Sequence, residues 1–230
     1  MPLSPQQNHT AQANIRFLQD PRTFMQDTLI DSVSVLERSI GQTTRGQNLG
    51  DLADNNQAIF DFHLVPLHYG KVGLEMSLRG SRSIPGIPAR YLGFNFNVSG
   101  PGQMGKIDVA GGDTDFIFTV GITGCTIIGV RNGGQLTFYH EPTRDNARGQ
   151  WLDRYPGDVV LYAPSSTGYG TAVMHRYDGR HWRVYMQSFD FAQGDWAAAS
   201  ARDASSSGGT ESSRMYNFYS FTNLEVFDEV

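Results

Sequence analysis

The chain has 230 residues, a formal charge of −5 and 39% hydrophobic residues, enough apolar material for one sizeable core. With no dense Lys/Arg cluster, nucleic acid is excluded as the main partner, because phosphate binding needs concentrated positive charge. One cysteine excludes an internal disulfide and leaves its thiol free for chemistry.

No stretch reaches the roughly 18 apolar residues of a membrane span, and no basic segment followed by an apolar run marks a Sec-type signal. The N-terminal stretch 1–14, polar and rich in Gln and Asn, reads as a disordered leader, and 15–230 as a single domain. Asp20-Pro21 is an N-cap followed by proline at the first helical position, and Gly41 is a stop. Phe24, Met25, Leu29, Val33, Leu36 and Ile40 between them have helical spacing, so one amphipathic helix is expected across 21–40.

Residues 57–78 alternate in short apolar runs and predict two strands turning near Tyr69-Gly70-Lys71. His63 and His68 lie in this stretch. No third ligand follows at a suitable spacing, so they read as surface or turn histidines and no metal site is expected. Gly80 to Pro88 reads as a loop. Arg90 to Val98 then has period two, with Tyr91, Gly93, Asn95 and Asn97 on one face. Asn95 or Asn97 is placed to bond a catalytic histidine or a substrate amide, or is simply an exposed polar residue. The glycine-rich stretch 99–112 lacks the Gly-Lys-Ser/Thr ending of a phosphate loop and the strand–GxGxxG–helix setting of a dinucleotide site. Strands are further expected at 158–163, 171–177, 181–191 and 215–227, with Asp178-Gly179 as a hairpin turn and 197–213 as low-complexity chain. Twenty-six glycines, fourteen phenylalanines and many short β-branched runs give the fold class: α+β, a strand-rich, sandwich-like core of mixed or antiparallel sheets flanked by a few helices.

The stretch on which the functional reading turns is 116–141, FIFTVGITGCTIIGVRNGGQLTFYHE. Residues 125–131 and 135–140 are β-branched and aromatic, and Asn132-Gly133 between them is a strong hairpin signal. A two-residue turn there pairs Val130 with Gln135, Ile128 with Thr137 and Cys125 with His140. Direct cross-strand partners have Cβ atoms roughly 4.5–5.5 Å apart, which lets a thiol and an imidazole share a proton. An adjacent imidazole stabilises the thiolate, the reactive form of cysteine. Gly124 lets a substrate carbonyl approach the backbone closely. A turn on Gly133-Gly134 would instead break the pairing.

Ile122-Thr123-Gly124-Cys125, followed by an apolar strand and a histidine fifteen residues on, resembles the Leu-Ser-Gly-Cys signature and downstream histidine of the cytotoxic necrotizing factor and Burkholderia lethal factor family of glutamine deamidase toxins. The likeness covers about 110–142, with Ile122 and Thr123 replacing the usual Leu and Ser. It implies Cys125 as nucleophile, His140 as base, and Thr119, six residues before the cysteine, as a supporting group; Thr123 and Gly124 would shape the oxyanion site with Asn95 or Asn97. It further implies no cofactor, a monomer that leaves its cell by a non-Sec route or is delivered to a host cytosol, and a host protein as substrate. The fifteen-residue interval is similar to that of the toxins acting on Rho-type GTPases, and the small size to the one acting on a DEAD-box translation initiation helicase. A transglutaminase or a cysteine protease would share the dyad, and a β-sandwich binding module would explain the strands with Cys125 as plain core.

Overall fold

The computed structural model describes residues 2–31, 43–44, 47–48, 58–67, 71–93, 105–109, 114–120, 122, 124–141, 152–153, 155–164, 169–191 and 219–229. Two helices, α1 (Pro5–Gln19) and α2 (Pro21–Asp27), come first. The strands are β1 (Leu29–Asp31), β2 (Thr43–Thr44), β3 (Gln47–Asn48), β4 (Phe60–Pro66), β5 (Lys71–Leu78), β6 (Ile87–Tyr91), β7 (Lys106–Val109), β8 (Phe116–Val120), β9 (Thr126–Asn132), β10 (Gln135–Glu141), β11 (Asp158–Pro164), β12 (Tyr169–Arg176), β13 (Trp182–Phe191) and β14 (Tyr219–Asp228). Eight of them form one mixed sheet in the order β1-β5-β4-β6-β8-β12-β13-β14, parallel at β1/β5 and β6/β8. Four form an antiparallel sheet in the order β11-β9-β10-β7, and β2 pairs with β3. The fold is α+β with a sandwich-like core.

Strand alternation assigns the layers. On β8, Phe116 and Phe118 join Phe17, Phe24, Met25, Phe62 and Leu64 in a core between the large sheet and the helices. Ile117 on the same strand faces the other way, into a second core shared by the two sheets, with Ala172, Met174, Val184 and Met186 from the large sheet and Ile127, Leu136, Phe138 and Leu161 from the small one. The outer face of the small sheet buries Ile128, Val130 and Tyr139 under Tyr155. Thr119, two positions after Ile117, is directed into the layer between the sheets and is fully buried.

The expectation of a disordered leader is overturned. Ser4 and Gln7 close a capping box, with Pro5 at the first helical position. Phe17 is wholly buried, and the buried Asn14 amide accepts from Leu64 N–H and donates to the Pro85 carbonyl. Local caps and one aromatic anchor outweigh the polar composition.

The helix expected over 21–40 starts at its N-cap, Asp20, but stops at Asp27. A buried glutamine from β13 accounts for the stop. Gln187 donates to the carbonyls of Met25 and Thr28 and accepts from Ile30 N–H at 2.9 Å. Leu29 and Ile30 then enter a strand parallel to β5, while 32–42 lie outside the described residues.

Two strands also differ from expectation. β6 begins at Ile87, within the stretch read as a loop, and ends at Tyr91; the remainder of the strand expected to Val98 falls outside the described residues from 94 onward. β7 lies in the glycine-rich stretch, where Lys106 to Val109 supply just enough alternation to pair with β10. His63, expected at the surface or in a turn, is fully buried on β4.

Candidate active site

The β9–β10 hairpin forms, but its turn is not the one expected. Asn132 faces Gln135, so the turn residues are Gly133 and Gly134, with φ of 56° and 88°. Both central positions of such a turn need positive φ, which glycine adopts without a Cβ clash and asparagine adopts less readily. The Gly-Gly pair therefore takes the turn, and the predicted Cys125–His140 cross-strand pair is corrected: His140 faces Ile127, and Glu141 faces Thr126.

The correction changes the partner but not the face. Cys125 precedes Ile127 by two residues, and both are buried in the core between the sheets. His140, paired with Ile127 and bonded to Thr119 of the large sheet, therefore lies on the same inward side as Cys125, which stands just before β9. Glu141 turns to the opposite face with Thr126.

His140 is held from both sides. Its backbone N–H donates to the Gly105 carbonyl beside β7 at 2.9 Å, and its ring Nδ1 lies 2.8 Å from Thr119 Oγ1. Thr119 comes from β8 of the large sheet, so this bond joins the two layers of the sandwich through their shared core. Both residues are fully buried, and Cys125 is 4% exposed. Neighbours in that core include Leu92, Ile107, Ile122 and Phe138. Ile122 N–H donates to the Gly170 carbonyl at 3.2 Å, anchoring the approach to Cys125 on β12. A Cβ at Gly170 would stand 2.3 Å from the Gln187 carbonyl oxygen, so only glycine lets the strands pass so closely here.

Burial pushes the His140 pKa down to about 3, because an imidazolium in this apolar layer forgoes its hydration. The imidazole is thus neutral near pH 7 and able to accept a proton. The expected thiolate–imidazolium pair is disfavoured by the same apolar setting.

Gly124, directly before Cys125, has φ of 65°, a left-handed conformation that an L side chain resists. It re-aims the backbone as β9 begins. Thr123, Asn95 and Asn97 lie outside the described residues. The sequence reading missed the supporting groups Gly105, Leu92 and Gly170. They act through backbone atoms and packing, and their only sequence signal is glycine where strands crowd together.

The sequence matches no protein-family model and no curated relative at a significant level. No described helix is long and apolar enough to cross a membrane.

Proposed function

We propose that the protein is a cysteine-dependent glutamine deamidase that acts on a side-chain carboxamide of another protein. The observation carrying this reading is the 2.8 Å bond from Thr119 to the buried His140 ring, on the same inward face as the protein's single cysteine. The Ile-Thr-Gly-Cys motif and the fifteen-residue interval to the histidine agree with it through their likeness to the deamidase toxins.

In this mechanism Thr119 fixes the imidazole orientation while His140 accepts the Cys125 proton. Sulfur attacks the carboxamide carbon, and the oxyanion is met by backbone N–H groups at Gly124 and Cys125. The imidazolium returns its proton to the departing nitrogen, which leaves as ammonia. Water, deprotonated by the now neutral His140, then cleaves the thioester. The product is a glutamate in place of a glutamine and the regenerated thiol.

Low exposure of Cys125 also suits a binding module in which the thiol is core. The two readings part on chemistry. After incubation with Rho-type GTPases and with a DEAD-box initiation helicase, a deamidase adds about one dalton at a single glutamine through thioester hydrolysis, and Cys125→Ser does not. Amine incorporation at that glutamine would assign a transglutaminase, and chain cleavage a protease. An unchanged panel together with a native thiol inert to alkylation would establish the binding module.

A further inference from the structure

A second buried histidine lies outside this site. His63 on β4 faces away from the helix-side core that holds its neighbours Phe62 and Leu64, yet it is fully buried. Its cover is the connection from β5 to β6. A Cβ at Gly86 would meet His63 Cε1 at 3.0 Å and Asp61 Cβ at 2.5 Å, so the backbone of 86 lies against the ring and only glycine fits.

Carboxylates on either side of His63 hold this connection down. Gly80 N–H donates to Asp61 Oδ2 at 2.7 Å, the Arg79 guanidinium lies 3.3 Å from Asp61, and Arg82 pairs with Glu75. From α1, Gln7 donates to Ser83 Oγ and Asn14 to the Pro85 carbonyl. Between these ties Ile84 is buried. His63 Nε2 lies 3.1 Å from Ser77 Oγ, whereas its Nδ1 has no hydrogen-bond partner among the described residues.

We propose that residues 79–86 form a strap that acid releases, with His63 as the sensor beneath it. With Nε2 committed to Ser77, a second ring proton would sit on Nδ1, which meets no acceptor among the described residues while the strap is down. The charged groups facing the ring are Asp61 on its own strand, Glu75 on β5, and Arg79 and Arg82 on the strap. On β6, Arg90 lies on the same side by strand alternation, but its guanidinium is turned to the Asp108 carbonyl.

An imidazolium there competes with Arg79 and Arg82 for the two carboxylates that hold the strap. Burial, with a smaller contribution from Arg82, lowers the ring pKa to about 4 in the closed form, while Asp61 and Glu75 work against that shift. The open form, with its ring in water, binds a proton near the ordinary value of about 6.5. Falling pH therefore favours opening across that interval.

Amide hydrogen exchange of the full chain, read by mass spectrometry and corrected for intrinsic rates, tests the strap. From about pH 6.5 to about pH 4.5 the opening constant for 80–86 should rise roughly tenfold per pH unit and remain well above that of β13 amides, which open only with the whole fold. His63→Gln, neutral throughout, should abolish that slope. The proposal is overturned if strap protection is flat over this range, if His63→Gln keeps the slope, or if the strap and β13 share one opening constant. Should His63→Gln not fold, the wild-type contrast between strap and β13 decides alone.

Discussion

Replacing Thr119 with valine is the sharpest probe of the bond that organises the site. The two side chains have nearly the same shape, so packing beside the cross-strand partner Ala172 is kept while the hydroxyl beside His140 Nδ1 is lost. Both partners are fully buried, so water does not replace the hydroxyl, and a buried polar atom left unsatisfied costs about 1–3 kcal/mol. The extra methyl recovers part of this, leaving a net loss of about 1–2 kcal/mol. In a chain of this size that corresponds to a fall in melting temperature of about 2–8 °C.

In the proposed mechanism a freed imidazole also loses its alignment for proton transfer from Cys125, and misplacement by about 1 Å can cost about 100-fold in turnover. Thr119→Ser keeps the hydroxyl and should recover most of both effects. Thermal melts and single-turnover deamidation of the three proteins supply the comparison. If the valine variant melts and reacts like wild type, or if serine is as poor as valine, Thr119 does not position the ring.

Acid should weaken the fold through its buried histidines. His140 and His63 titrate at about 3 and about 4 when folded, below about 6.5 for an unfolded histidine, so the unfolded chain takes up the extra protons. Their contribution is fully present above about pH 6.5 and declines as pH falls towards the folded values, by up to about 1.4 kcal/mol per pH unit for each ring. Urea midpoints near pH 7 and pH 5 should therefore differ clearly, and His63→Gln should flatten the slope by up to one proton; an unchanged midpoint would contradict the burial of both rings. Gln187→Leu strips partners from the Met25 and Thr28 carbonyls and from Ile30 N–H, and should cost about 2–4 kcal/mol, with β1 and α2 exchanging first in hydrogen exchange. Glu229, buried between Arg131 of the small sheet and the Trp182 N–H of the large one, should cost about 3 kcal/mol when changed to alanine, since it leaves the Arg131 charge and a buried donor without that acceptor; a chemical melt within 0.5 kcal/mol of wild type would show that the clip carries nothing.

The site was legible in the sequence by its face and not by its register. The β-branched strands flanking Asn132 to Gly134 announced a hairpin, and two-residue alternation put Cys125 and His140 on one side for either turn of two residues. Choosing between Asn132-Gly133 and Gly133-Gly134 needed the backbone angles, where a second glycine outcompeted asparagine. Thr119 was found through resemblance, because its partner belongs to the other sheet and no local pattern announces a bond across a sandwich. Gln187 shows the same limit. A lone glutamine in an apolar strand gave no sign that it ends a helix more than 150 residues earlier, and Leu29 kept its helical spacing while entering a strand. The helix at Pro5–Gln19 was written in Ser4-Pro5 and Gln7, but the polar composition around those caps hid it.

The most direct test needs no target protein. Native wild type and His140→Ala are treated with limiting iodoacetamide near neutral pH, and modification of Cys125 is followed by peptide mapping. An activated nucleophile predicts selective alkylation of the native protein, slowed about tenfold or more when the base is removed. A native thiol that stays unmodified while the denatured chain reacts fully, or a rate indifferent to His140, would contradict the account and leave Cys125 as part of the core.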